Sequence, residues 1–424
     1  MQKLSSNLVY VIGGEMLLRL AGFAVAVLVG RVYGAVVLGV YAAILAVATL
    51  AERLADNGLE TSGIAIVSAH PENLNRIGTS LYINKTVLST MAIGILAGFG
   101  WISGMSRASW VMATILTLRT FLYSYCRLNS GLLKALGRSP QIAKIQFVHF
   151  VMLCGIISYA FTKVNNLSFL LLCLLVAQLT EFLLSLFMLR HYGARVTQVS
   201  LRLCWDLAKR STPIGLTYTV STLMLRADVL VLSVLASASV LGTFSAADTG
   251  LIMVYVIAWL FSGVLLADLG AVAANKAELD SHFRKCISVI LRFCLPVTVA
   301  ATVFAPSFIR LLYGRQFSSA GAPAAIAALA IPFILLNAAF LSRAVARNSA
   351  STCLAVYSMG AVFSLLLNFL LGWRYGAMGI AISIVLREIA MTVAFLGWKE
   401  IPWSNATATE SVDTNTNLVE LLNA

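Results

Sequence analysis

Apolar runs of about twenty residues, separated by short polar connectors, follow one another along almost the whole chain. A run of that length, coiled as a helix, spans the roughly 30 Å hydrocarbon core of a bilayer. The pattern predicts an all-α integral membrane protein of about twelve spans. In the first half they lie near Leu8–Gly30, Val37–Gly58, Gly78–Trp101, Ser109–Leu132, Gln141–Phe161 and Ser168–Met188. In the second half they lie near Pro213–Leu235, Ser245–Leu269, Ile287–Phe308, Ala322–Val345, Thr352–Trp373 and Tyr375–Trp398. The longest connector, over 191–210, is basic and divides the chain into a six-helix lobe over 1–190 and another over 211–398. After Lys399 the sequence turns to Ser, Thr, Asn and Ala, and 399–424 is expected to be a disordered tail. The opening run is too long for the apolar core of a cleavable signal and is expected to stay as an anchor.

Composition narrows the class. Of 424 residues 60% are apolar and 11% charged, where a soluble globule carries about 25% charged residues. A large aqueous catalytic module is excluded, and the net charge of +13 reads as loop topology rather than affinity for nucleic acid. With the N-terminus inside, sixteen basic residues fall in internal segments. Only Arg31, Arg107, Lys163, Arg310, Arg315 and Arg374 fall outside. Short basic loops stay in the cytoplasm, so both termini are expected there. The seven cysteines are scattered over apolar runs and read as buried hydrophobes. No P-loop, HExxH, GxSxG or clustered metal-ligand spacing occurs, so no metal, cofactor or enzymatic activity is expected. Asn405-Ala406-Thr407 has the form of a glycosylation acceptor but would lie in the cytoplasm.

Val37-Leu38-Gly39-Val40-Tyr41-Ala42-Ala43 recurs as Val240-Leu241-Gly242-Thr243-Phe244-Ser245-Ala246, 203 residues later. A repeat at half the chain length predicts duplicated lobes. Pro213, Pro296 and Pro332 are expected to kink or break their spans. Gly94, Gly98, Gly100 and Gly104 give spacings that permit close helix approach.

Ionisable groups at membrane depth are costly unless paired or facing water, so their positions are informative. Glu15 and Arg19 are spaced to pair on the first span. The fourth span carries Arg119, Tyr123, Arg127, Ser130 and Lys134 on one face, with no acid of its own. Such a ladder lines an aqueous cavity that admits an anion, or meets carboxylates from other helices. Arg226, Asp228, Arg292, Arg387 and Glu388 complete the set, with Glu52, Asp56, Glu181, Asp248 and Asp268 as further acids. Arg53, Lys85, Asp56 and Asp268 lie near span ends, where snorkelling to the headgroups is the alternative. His149 reads as a satisfied core residue.

Gly30-Arg31-Val32-Tyr33-Gly34 through Leu38-Gly39-Val40-Tyr41, then Leu54-Ala55-Asp56-Asn57-Gly58-Leu59, resembles the opening of bacterial polysaccharide flippases. These carry O-antigen or capsule repeat units and belong to the multidrug/oligosaccharidyl-lipid/polysaccharide exporter superfamily. Ala227-Asp228, Leu241-Gly242-Thr243-Phe244-Ser245-Ala246-Ala247, Leu312-Tyr313-Gly314-Arg315-Gln316-Phe317 and Tyr375-Gly376-Ala377-Met378-Gly379-Ile380-Ala381 extend the resemblance to about residue 398. It departs from the family pattern at Val37-Leu38 and at Asn57. The resemblance implies a two-lobed, twelve-helix transporter that works by alternating access. Its cationic cavity would hold an undecaprenyl-pyrophosphate-linked oligosaccharide, with polysaccharide polymerase machinery as a further partner.

On that reading Arg19, Arg119, Tyr123, Arg127, Arg226 and Arg292 contact the anionic head. Glu15, Glu52, Asp228 or Asp248 takes part in ion coupling. A multidrug or toxin cation antiporter of the same superfamily is the alternative, and would favour acids over arginines in the cavity. An integral-membrane glycosyltransferase or polymerase is a third reading, disfavoured by the lack of a large external loop.

Overall fold

The computed structural model describes residues 2–102, 106–163, 166–197, 200–272, 275–347 and 349–397; the tail expected over 399–424 lies outside them. No strand occurs among the described residues. The helices are α1 (Gln2–Asp56), α2 (Leu59–Ala69), α3 (Leu74–Ile102), α4 (Arg107–Ala135), α5 (Ser139–Lys163) and α6 (Leu167–His191), then α7 (Leu201–Leu235), α8 (Ala238–Ala271), α9 (Lys276–Tyr313), α10 (Gly321–Ala328), α11 (Ile331–Ala346) and α12 (Ala350–Gly397).

Two of these helices are twice as long as a bilayer requires. α1 has 55 residues and α12 has 48, about 82 and 72 Å at 1.5 Å per residue. Each is broken at one glycine, Gly34 (φ 85°) and Gly376 (φ 56°), in a region of backbone space that only glycine adopts readily. The loops expected after the first and eleventh spans are therefore single-residue breaks. Helix by helix, with α10 and α11 taken as one span bent by 43°, the described residues supply nine long apolar segments, two of them double. α4 adds the twelfth. At 29 residues it is long enough, and it is the least apolar helix because the ladder of polar side chains sits on it.

Of the three prolines expected to kink or break a span, Pro213 and Pro296 do not break theirs, and Pro332 stands at a break. α7 continues through Pro213, and α9 through Pro296 and Pro306, with helical backbone angles throughout. A proline already has a helical φ and removes one donor, which a neighbouring helix can compensate in apolar surroundings. Pro332 stands at the first turn of α11, just after the 43° bend. α7 also begins at Leu201, inside the segment read as a linker. Just before it, the backbone N–H of Arg195 donates to Asn75 Oδ1 at 2.7 Å and that of Thr197 to Thr79 Oγ1 at 3.2 Å.

The chain forms two compact units. Unit 1 is Ile44–Thr222 with the start of α1 up to Leu28. Its core joins Leu59 and Val67 of α2, Ile77 and Leu81 of α3, Leu128, Leu132 and Leu133 of α4, Ile142 and Ile145 of α5, Leu189 of α6, and Leu203 and Leu207 of α7. Unit 2 takes Val29–Ala43 and the described residues from Leu223 to Gly397. Its core packs Leu265 and Leu269 of α8 against Phe283, Ile290 and Cys294 of α9 and Ala339 and Phe340 of α11.

Inside unit 2 the repeat has a structural meaning. A side chain on Gly39 would collide with the carbonyl oxygen of Ala238, and one on Gly242 with that of Ala35. The 203-residue offset carries Gly39 onto Gly242 and Ala35 onto Ala238. The two glycine contacts are thus the same contact made twice, with the partners exchanged.

Candidate functional site

In unit 1 the polar face of α4 is met by other helices. Arg127 pairs with Glu60 of α2 and lies 3.8 Å from Glu52 of α1. Ser124 donates to Glu52, which is also 3.7 Å from Arg53. One turn further along α1, buried Asp56 pairs with buried Lys85 of α3. Snorkelling is therefore overturned for Lys85 and Asp56: the charges neutralise each other inside the protein, which removes the need to reach the headgroups. Asp268, by contrast, is 62% exposed and 3.6 Å from His282. For the Arg127 end of the ladder, the carboxylate partner is the one that the structure supplies.

The other end differs. Arg119 lies twelve residues into α4, at mid-span. Its Nε is buried without a hydrogen-bond partner, and no carboxylate pairs with it among the described residues. Tyr123, one turn on, is within electrostatic reach of Glu15 and Arg19 of α1, Arg127 and Glu181. Glu15 accepts from Gln146 Nε2 of α5 at 3.3 Å. The pair expected between Glu15 and Arg19 does not form among the described contacts; Arg19 is exposed. Three other expected residues, Glu15, Arg19 and Arg127, thus lie within electrostatic reach of Tyr123, with no hydrogen bond or ion pair joining the four among the described contacts.

Next to them lies a group whose role the sequence did not reveal. His149 Nδ1 of α5 is 2.9 Å from Glu181 Oε2 of α6, both side chains being over 95% buried. Gln178 donates to the same carboxylate oxygen at 2.6 Å.

Unit 2 holds a larger buried network, centred on Arg387 of α12. Its Nη1 donates to both oxygens of Asp228 at 3.1 Å, to Met224 O at 3.2 Å and to Ser364 Oγ at 3.1 Å. Nη2 reaches Tyr255 Oη at 2.7 Å and Nε reaches Glu388 Oε1 at 3.2 Å. Asn368 also donates to Asp228, at 2.7 Å, and Asn337 to Glu388, at 2.8 Å. Asp228, expected to couple an ion, is thus saturated by fixed donors. Asp248 of α8 is partly exposed and has no hydrogen bond or ion pair among the described residues; Asp228, Arg226 and Arg387 are its charged neighbours. Arg292 does not join them. It is exposed on the side of α9 opposite the buried stripe Ile290, Cys294 and Thr298. The signal for the network was present as polar residues in apolar runs, Ser364 and Asn368 one turn apart and Asn337 alone, but their partners are remote in sequence. Among the described residues no cluster of metal-ligating side chains occurs, and the seven cysteines are unpaired.

Residues 9–322 match the family model described as "Polysaccharide biosynthesis protein". Similar solved structures include lipid II flippase MurJ in an inward closed conformation, at 16% identity and TM-score 0.74 over 90% of this chain and 86% of that one. An inward-facing multidrug resistance MATE family transporter of the MOP superfamily follows at 16% identity and TM-score 0.67, over 89% and 92%. A MOP superfamily transporter from Pyrococcus furiosus Vc1, described as having a binding pocket of reverse polarity, aligns at 16% identity and TM-score 0.64 over 93% and 94%. No curated protein sequence matches. The chain is a multi-pass membrane protein with the twelve-helix, two-lobed fold of these transporters.

Proposed function

The chain belongs to the polysaccharide biosynthesis protein family, and from that premise we propose that it is a flippase for lipid-linked oligosaccharides. It would carry undecaprenyl-pyrophosphate-linked repeat units from the cytoplasmic to the periplasmic leaflet of a bacterial inner membrane by alternating access. The observation that carries the reading is Arg119, a guanidinium at mid-span with a buried, unpartnered Nε and no paired acid among the described residues. A cation so placed needs an anion from elsewhere, and its planar fork suits diphosphate oxygens. Tyr123 lies one turn from it with Arg19 in its electrostatic reach, while Arg127 is anchored by Glu60 and holds the base of the stripe in place.

The test is transport of a polyprenyl-diphosphate oligosaccharide in reconstituted vesicles. Arg119→Ala should lower the apparent affinity or rate by about 10- to 100-fold, the worth of one charge-assisted contact, without loss of folded protein. Arg119→Lys should retain part of it. Arg127→Ala should fail differently, by destabilising unit 1, because Glu52 and Glu60 lose their partner. Arg107→Ala, at the exposed start of α4, should be silent. Transport at the parental rate by Arg119→Ala would end this reading of the stripe. A multidrug cation antiporter is the second reading, favoured by the MATE likeness and by unpaired Asp248. It requires organic cations, not diphosphate lipids, to be transported, and Asp248→Asn to abolish that transport.

A further inference from the structure

We propose that His149 and Glu181 form a proton-binding site in the middle of unit 1, whose occupancy clamps α5 to α6 and is linked to anion binding on the α4 stripe. The linkage rests on the flippase reading; the proton site does not.

The argument begins with the contact. A ring nitrogen and a carboxylate oxygen 2.9 Å apart cannot both present lone pairs, so a proton must belong to one or the other. Nδ1 is buried and has no hydrogen-bond partner in any other direction among the described residues, so Glu181 is the acceptor within reach of a proton carried there. Without the second ring proton, an ionised carboxylate would be buried in hydrocarbon surroundings with only neutral donors, Gln178 and the imidazole, beside it, a costly state. Proton loss leaves a neutral imidazole whose remaining N–H can still face the carboxylate, so the attraction between the two helices at this point falls from that of an ion pair to that of a neutral hydrogen bond. His149 is ten residues from the start of α5 and Glu181 ten from the end of α6, about 15 Å in.

The surrounding charges give the site its connection. From α4 it is approached by Tyr123 and Cys126, and the field at Tyr123 also includes Arg127 and, from α1, Glu15 and Arg19. Gln178 of α6 reaches Cys126 Sγ at 3.5 Å. Arg127 is already paired with Glu60, and no cation other than His149 pairs with Glu181 among the described residues. One turn before His149, Gln146 holds Glu15. Movement of α5 is thereby transmitted to the first helix beside Arg19. A protonated pair is neutral and an unprotonated one carries a negative charge, so an anion on the stripe favours the proton-bound form. By reciprocity, proton binding strengthens anion binding by the same factor.

The experiment uses the full chain in lipid nanodiscs, labelled with 15N at histidine and titrated over about pH 5–9, with and without a polyprenyl diphosphate lipid. The signal absent from His149→Gln identifies the residue. In Glu181→Gln the midpoint of that signal is expected to change by one pH unit or more. Added lipid is expected to change it in the parent, with lipid affinity about tenfold tighter per unit of that change. The double variant His149→Gln/Glu181→Gln, which keeps hydrogen-bonding capacity but exchanges no proton here, should lose the pH dependence of lipid affinity that this pair supplies. An unchanged His149 titration in Glu181→Gln would overturn the proton site. A titration that depends on Glu181 but ignores the lipid, in a parent that binds the lipid, would overturn the linkage alone. If the parent binds no diphosphate lipid, the substrate reading falls while the Glu181-dependent titration upholds the proton site.

Discussion

At the scale of single residues, the informative groups are those that burial leaves no choice. Arg387 is 1% exposed and faces Asp228 and Glu388 at once, so its removal strands two carboxylates. Breaking a buried pair from one side costs about 3–5 kcal/mol. Arg387→Ala is therefore expected to melt well below the parent in detergent, and Arg387→Lys to restore little, because one ammonium cannot span Asp228, Tyr255 and Glu388. An Arg387→Ala chain with parental thermal stability would mean that the network is not what holds α7, α8, α11 and α12 together. The sequence exposed the list of buried charges but not their pairing. Arg119 and Arg127 look alike as text, four plus four residues apart on one face. Only the fold separates the one met by Glu60 from the one that is not, since α2 reaches one end of α4 only. For Asp228 and Asp248 the outcome is similarly split: one is saturated by Arg387, the other left unpaired.

At the scale of helices, glycine rather than proline sets the breaks. Gly34 and Gly376 turn the chain by leaving helical space, whereas Pro213, Pro296 and Pro306 stay in it. The repeat visible in the sequence has a counterpart in the packing, because its offset carries the contact of Gly39 with Ala238 onto the contact of Gly242 with Ala35. A methyl group at either glycine meets backbone, which cannot swing aside as a side chain can. Gly39→Ala and Gly242→Ala should each destabilise unit 2, by about 1–3 kcal/mol. Because they relieve or strain one shared contact, the double variant should cost less than the two single costs combined. Gly22→Ala, with nothing near the added carbon, serves as the silent control. Additive or negligible losses in thermal melts would show that the two contacts are independent or soft.

At the scale of the whole molecule, hydropathy made the fold class legible because the bilayer permits few structures. What hydropathy undercounts is α4, the helix that carries the proposed site, since a span that binds an anionic head must be less apolar than its neighbours. Including α4 makes the count of spans twelve. An even count returns the C-terminal end of α12 to the side where α1 begins, and we propose that this side is the cytoplasm, a reading supported by the bias of sixteen internal against six external basic residues. Reporter fusions after Arg107 and after Lys163 should then behave as periplasmic, and a fusion within 191–210 as cytoplasmic. The first of these is the decisive one, because Arg107 begins α4. If α4 did not cross the membrane, the fusions after Arg107 and after Lys163 would report opposite sides, and the cationic stripe could not lie on the substrate's path through the bilayer.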